Sequence, residues 1–327
     1  MKKKTQVVLL LLAAVSLIIL PDILTNNYYI IVCNQTLISI IVLMGLNFVT
    51  GLMGQMNLGT AGIMALGAYT SALFCTKLNM SPWIAMVFVV LMGCILGVAL
   101  GYPSLRIKGI YLSLTTLGFS EIIRILLNNL VNLTGGPTGV RSIPKFSFFG
   151  ILLKSSKQYY YLLLAFVVIL MVIALAIINS KWGRAIKAIK DSDLAVEACG
   201  IKLSTVKVFA FTLCCVYGCI GGALHAHLIG YISPSDFTMD TTIKYLMMLM
   251  VGGIGSIGGN VLGAIIVNVL PEVLRFMDDY YWLVFSSIIL VCSIVKPNGL
   301  MPELRKLFSA IARKLVKPAG KGVKEHG

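Results

Sequence analysis

The sequence predicts an all-α polytopic membrane protein with about ten transmembrane helices, some interrupted or half-length, and both termini in the cytoplasm. Three observations carry that expectation. The 327 residues are 58% hydrophobic and only 12% charged, where a soluble domain carries about 25% charged residues. Apolar runs recur at 7–20, 29–50, 60–76, 82–102, 110–130, 159–179, 206–229, 243–254, 260–276 and 281–296, most of them near the ~20 residues a helix needs to cross a bilayer. The Lys and Arg residues are one-sided. With the N-terminus inside, the inner segments hold nineteen of them and the outer segments about seven, as positive-inside topology requires.

The first run follows a basic start, "MKKKTQVVLLLLAAVSLIILPD". It lacks a small-residue cleavage site and is closed by Pro21-Asp22, so it reads as an uncleaved first span. Two glycine-rich stretches then interrupt the pattern, "GLMGQMNLGTAGIMALGAY" at 51–69 and "VGGIGSIGGNVLGA" at 251–264. Glycines permit close helix packing, and they also mark interrupted helices that line a pathway. Gln55, Asn57 and Thr60 favour a pathway in the first stretch, because a purely structural turn needs no such polar groups. The run at 243–254 is short enough to be a half-helix.

One acid stands centrally within a span. Glu121, in "YLSLTTLGFSEIIRILLNN", has Arg124 three residues on, a spacing that allows an intramembrane ion pair. An ionisable group at this depth is a candidate functional site. The outer loop at 131–158 is basic without an acid.

The segment at 180–209, "SKWGRAIKAIKDSDLAVEACGIKLSTVKVF", holds six basic and three acidic residues between two apolar runs. Trp182 to Lys190 reads as the cytoplasmic end of the preceding helix, broken at Asp191-Ser192-Asp193. Asp193 is expected to cap a second helix, "LAVEAC", with Gly200 as its left-handed stop. A helix this short is marginal in water, so it needs something to pack on. A transmembrane domain is therefore expected over 1–302, with this cytoplasmic loop at about 180–207. The tail at 303–327 sets Leu304, Leu307, Phe308, Ile311 and Leu315 against Arg305, Lys306, Arg313 and Lys314, a basic amphipathic helix suited to membrane lipid.

Several function classes fit poorly. The net charge of +15 sits in loops and termini, so nucleic acid is not an expected partner. There is no H-E-x-x-H, G-x-S-x-G or phosphate-binding loop, so no catalytic, cofactor or metal site is expected. His225 and His227 are two apart and would not face one another on a helix. The eight cysteines lie mostly in apolar runs, as in "FTLCCVYGC", and read as small buried thiols. The scarcity of intramembrane acids leaves little to carry a coupling ion, which points to energy supplied by another subunit.

The stretches "GLMGQMNLGTAGIMALGAYTSAL", "LRIKGIYLSLTTLGFSEIIRILLNN", "LTGGPTGVRSIP", "GRAIKAIKDSDLAVEACGI", "GYISPSDF" and "VKPNGLM" together resemble the LivM-type permease of branched-chain amino-acid ABC importers. The likeness runs from about residue 35 to 302. It implies a non-catalytic subunit of the bacterial plasma membrane that works with two cytoplasmic ATPase subunits, a second LivH-type permease and an external substrate-binding protein. ATP would be used by the partner, with no cofactor in this chain. The charged segment would then be the ATPase-coupling loop, with Asp193, Ala195, Glu197, Ala198 and Gly200 forming its helix and its ending. Gly200 follows Glu197 by three residues, not the six of the E-A-A-x-x-x-G loop of other importers. Gln55, Asn57, Thr60, Thr115 and Thr116 are the expected translocation-path residues, since amides and hydroxyls suit a passing zwitterion. Relatives with this pattern also serve urea, amides or other amino acids. The competing expectation is a self-sufficient secondary transporter or channel for a small polar solute.

Overall fold

A computed structural model of the protein describes residues 26–107, 109–148, 151–152 and 155–274, with Pro21 and a few isolated positions up to Met301. The runs at 7–20 and 281–296, apart from isolated positions, and the tail helix expected at 303–327 lie outside the described residues. The eight other apolar runs all appear as helices. They are α1 (Asn27–Leu46), α2 (Thr60–Lys77), α3 (Pro82–Gly101), α4 (Ile110–Asn129), α6 (Ser156–Asn179), α9 (Leu203–Ile229), α10 (Met239–Gly252) and α11 (Ile257–Leu274). Three shorter helices lie between them, α5 (Val131–Thr134), α7 (Lys181–Asp191) and α8 (Asp193–Ala198). A two-residue hairpin, β1 (Ser147–Phe148) with β2 (Ile151–Leu152), pairs Ser147 with Leu152 and Phe148 with Ile151.

Among the described residues, six helices are long and apolar enough to cross a membrane: Asn27–Leu52, Pro82–Leu105, Ile110–Asn129, Ser156–Asn179, Leu203–Ile229 and Ile257–Leu274. α2 falls outside this set because protein surrounds it. Nearly all of it is buried, and a helix wrapped by protein can carry Gly, Thr, Ser and Tyr where a lipid-facing one would not. α10 has 14 residues, about 21 Å at 1.5 Å per residue, against a hydrocarbon core of about 30 Å. It is the half-length helix expected from the short run.

α9 is the hub of the bundle, packed on α3, α2 and α1. Its contact with α3 is a ladder of small residues four apart. A Cβ on Gly93 would stand 2.7 Å from the Cα of Val216, and one on Gly101 2.9 Å from the Cα of Val208. Between them a Cβ on Gly97 would overlap the Cα of Thr212. The register falls on α9 as it rises on α3, so the two helices run antiparallel at near backbone contact. Cys214, Cys215 and Cys219 are buried in the same hub, as the sequence suggested. Buried tyrosines tie α6 to it: Tyr217 Oη donates to Leu170 O and Tyr159 Oη to Leu224 O, both at 2.8 Å.

The end of the bundle carrying α7 and α8 is here termed the coupling end. At the opposite end Val140 and Ile232 exchange backbone hydrogen bonds of 2.9 and 3.1 Å. His227, fully buried, bridges the same region: Nδ1 donates to Pro144 O at 2.6 Å, so Nε2 accepts from Ser71 Oγ at 2.7 Å. These bonds hold the 135–148 loop on the bundle, where it joins the "LTGGPTGVRSIP" and "GYISPSDF" stretches.

Because Gly97 has no room for a side chain, Gly97→Val should force α3 and α9 apart. Overpacking of this kind costs about 1–3 kcal/mol, and the expected result is a lower unfolding midpoint in detergent with α3 still inserted. An unchanged midpoint would contradict the close approach.

Candidate functional site

Two helix breaks and one charged segment gather toward the coupling end. At the first break, α1 continues as a π-helical turn over Asn47–Leu52, then the chain is irregular to Gly59, and α2 starts at Thr60. At the second, α10 ends at Gly252, with Gly253 and Gly255 at φ +119° and +85°, and α11 starts at Ile257. Only glycine takes these angles without strain.

The breaks pack on each other. Asn47 Oδ1 accepts from Gly255 N at 2.9 Å, and a Cβ on Gly51 would stand 2.8 Å from that same nitrogen. Asn260 Nδ2 donates to Leu43 O at 3.4 Å. Leu300 N donates to Val251 O at 3.0 Å, and a Cβ on Gly299 would overlap Gly253, so residues 299 and 300 close over the second break. Both glycine-rich stretches thus interrupt helices and pack closely.

The start of α2 is bonded by side chains from three directions. Leu58 N donates to Thr116 Oγ1 at 3.0 Å and Gly59 N to Asn57 Oδ1 at 2.8 Å. Ala61 N donates to Thr242 Oγ1 at 3.1 Å, and Gly62 N to Ser120 Oγ at 2.8 Å. A helix start leaves orphan N–H groups, and here α4 and α10 supply hydroxyls where water would otherwise serve. Asn57 also donates through Nδ2 to Cys214 Sγ at 3.4 Å.

The five expected path residues separate into distinct groups. Asn57 and Thr116 are buried and already bonded to backbone. Thr60 Oγ1 and Gln55 Oε1 are buried side-chain oxygens with no hydrogen-bond partner. Thr115 is exposed on the other side of α4, where its hydroxyl donates to Tyr111 O at 2.8 Å. Glu121 and Arg124 form the expected ion pair within α4; Arg124 Nε donates to the two carboxylate oxygens at 3.0 and 3.1 Å, and Nη2 also bonds Oε1. Asn47, Ser120, Thr242 and Lys207 were not singled out in the sequence. Thr116 and Ser120, four apart on one helix face, were the legible sign of a hydroxyl stripe.

The charged segment departs from expectation in two ways. Residues 181–191 form a separate helix, α7, not the end of α6. Ser180 is extended at ψ 178° and accepts from Gly183 N at 3.4 Å, so it ends one helix and caps the next. The cap of α8 is Ser192, whose Oγ accepts from Ala195 N at 3.3 Å; Asp193 is the first helical residue. Its carboxylate instead meets the ammonium of Lys207, fully buried in α9, at 3.2 Å.

The ending at Gly200 is as expected. Gly200, at φ +76°, donates to Glu197 O at 2.9 Å and Ile201 N to Val196 O at 3.3 Å, the paired bonds of a Schellman stop. Val196 is buried, while Ala195, Glu197, Ala198 and Gly200 are exposed and Leu194 is 79% exposed. α8 is therefore anchored by one apolar and one ionic contact and shows the rest of its surface. α7 packs on the π-turn of the first break, and a Cβ on Gly54 would lie 3.0 Å from the Lys190 side chain.

At the opposite end, α1, α10 and α11 enclose a cleft of about 970 Å³ lined in part by Gln35, Asp240, Lys244, Asn268 and Glu272. Tyr28 Oη donates to both carboxylate oxygens of Glu272 across its mouth.

A helical bundle that spans the membrane repeatedly, breaks two helices against each other and displays a capped helix at one end defines a multi-pass membrane transport permease. The chain belongs to the family described as branched-chain amino acid transport system, permease component, whose model matches residues 28–294. It is 33% identical to the high-affinity branched-chain amino acid transport system permease protein LivM of Escherichia coli, over 84% of this chain and 70% of that protein. It is 24% identical to a probable LivM permease of Methanocaldococcus jannaschii, over 73% of each chain. Similarity extends to the LivH permease of E. coli, at 22% identity over 82% of this chain and 92% of that one. These relatives are transport permease components. No solved structure matches the chain.

The Asp193–Lys207 pair should be costly to break from one side, because a buried ammonium left alone costs about 3–5 kcal/mol. Asp193→Ala is expected to raise proteolysis between residues 190 and 202 in membranes. Asp193→Ala combined with Lys207→Met should recover most of the protection. Equal cleavage of wild type and Asp193→Ala would show that the pair does not hold α8.

Proposed function

We propose that this chain is the membrane-embedded permease subunit of an ABC importer for branched-chain amino acids, driven through α8 by a partner ATPase. The carrying observation is α8 itself: two turns capped at both ends, fastened by Val196 and the Asp193–Lys207 pair, and otherwise exposed. An exposed apolar residue such as Leu194 beside Glu197 suits a groove on another protein. The complete transporter has two cytoplasmic ATPase subunits, a LivH-type permease and an external binding protein. The topology has ten crossings with both termini in the cytoplasm of a bacterial cell, a reading that the basic-residue asymmetry supports.

Coupling runs from α8 through α7 to the first helix break. ATP-driven closure of the ATPases moves α8, and α7 carries the motion to Gly54 and the π-turn. The start of α2 then shifts against α4 and α10. Thr60 and Gln55 bring unpartnered oxygens to this region, and they are the path residues best placed to meet a substrate as the breaks reorganise. Such a change is selective only where substrate and nucleotide-bound ATPase favour different states. A self-driven carrier leaves the capped, exposed α8 without a task.

Two variants test this in proteoliposomes containing the whole transporter. Glu197→Lys reverses a charge on the docking face. Gly200→Val strains a left-handed position by about 1–2 kcal/mol. Each is expected to insert normally, keep ATP hydrolysis and lose most substrate uptake. Normal uptake in both would remove α8 from coupling. A C-terminal tag should be reached by labelling reagent only after the membrane is opened, and labelling on intact cells would overturn the topology.

A further inference from the structure

α4 does not match its surroundings. It is the least apolar of the six candidate spans, yet only 28% of its most apolar window is buried. α6 is buried to a similar degree, 22%, but it is the most apolar span, and its exposed residues Val168, Ile169 and Val172 suit lipid. The exposed side of α4 carries Tyr111, Thr115 and Ile122, and the half-buried Glu121–Arg124 pair lies at its flank.

Glu121 is the twelfth of twenty residues in α4, about 16 Å from its start at 1.5 Å per residue. That is near the middle of a hydrocarbon layer about 30 Å thick. Its side chain is 43% exposed and that of Arg124 35%. Arg124 turns back along the helix to Glu121, away from the nearer helix end, so it does not reach for the membrane surface. Its bonds to Glu121 use Nε and Nη2, and Nη1 has no partner among the described residues. Charged groups at this depth face protein or a water-filled cavity, not acyl chains.

Two further features extend this face. A Cβ on Gly118 would meet nothing within 4 Å, so the centre of the face is open to close approach by another backbone. Toward the coupling end the face leads into a groove of about 590 Å³ lined by Arg106, Tyr111 and Thr115. The neighbouring Leu105 lines the groove that holds Glu197 and Gly200. A single seam therefore runs from mid-span to the coupling helix.

We infer that this α4 face is the surface on which a second, homologous membrane permease packs, with polar groups of that partner meeting Glu121 and Arg124. The inference rests on the permease reading above, which requires two permeases without saying where they meet. The relatives include both LivM and LivH permeases, which favours a homologous partner over a second copy. Thr115, directed away from the α2 start, then lies at the joint between the subunits.

The test uses the transporter purified from native membranes through a tag on this chain. A photoreactive phenylalanine analogue replaces Ile122 in one variant and Val168 in another, and adducts are identified by mass spectrometry. The expected result is an adduct with a second, homologous permease from position 122, and lipid adducts from position 168. Lipid adducts alone from both positions, or a dimer of this chain from position 122, would overturn the inference. Gly118→Phe gives an independent readout. It leaves the chain's own packing untouched and should reduce co-purified second permease at least tenfold. Unchanged recovery would count against the face. If wild-type chain brings down no ATPase at all, the permease reading itself fails; if ATPase is present and position 122 meets only lipid, the α4 interface alone fails.

Discussion

Inside a bilayer a broken helix has no water to bond, so every freed backbone group needs a partner from the protein. That constraint organises the centre of this molecule. The start of α2 takes hydroxyls from Thr116 and Ser120 on α4 and from Thr242 on α10, with Asn57 closing the turn. Asn47 does the same for Gly255 across the second break. An unmade bond at such a site costs about 1–3 kcal/mol, so α1, α2, α4, α10 and α11 are held to a common arrangement. The breaks persist because α4, α10 and the π-turn after α1 are positioned to satisfy them.

The same bonds link the breaks to the coupling end. α7 rests on the π-turn, Lys190 on Gly54, and α8 is pinned to α9 by Lys207. α9 is in turn locked to α3 at near backbone contact along Gly93, Gly97 and Gly101. A push on α8 thus meets a stiff hub on one side and, on the other, a set of irregular segments with unpartnered Thr60 and Gln55 oxygens. Closely packed helices move as units, which favours displacement at the breaks over displacement within the hub.

Much of this was legible in the chain. The helix rise of about 1.5 Å per residue and the bilayer thickness turn each apolar run into a helix of known length, so eight runs reappear as helices close to their expected bounds. The Glu121–Arg124 pair followed from its spacing, and the Gly200 stop from glycine's access to positive φ. The cap of α8 was misplaced by one residue. Asp193 and Ser192 are both good capping types, and the choice fell to Ser192 because the carboxylate of Asp193 is taken by Lys207, fourteen residues away. The break between α6 and α7 was missed because a single Ser180 between two helix-forming stretches gives little local warning.

Hydropathy, charge placement and short-range capping are properties of neighbouring residues, and they sufficed to indicate the fold class, the position and length of most described helices and the presence of a short capped helix in the charged segment. Contacts between distant residues are not encoded by period or composition. Asn47 with Gly255, Thr242 with Ala61, Asp193 with Lys207, and the burial of Thr116 but not of Thr115 arise only when the helices pack. Each depends on which face of one helix meets which face of another, and that is decided by the close approaches at glycine and by the bonding demands of the two breaks.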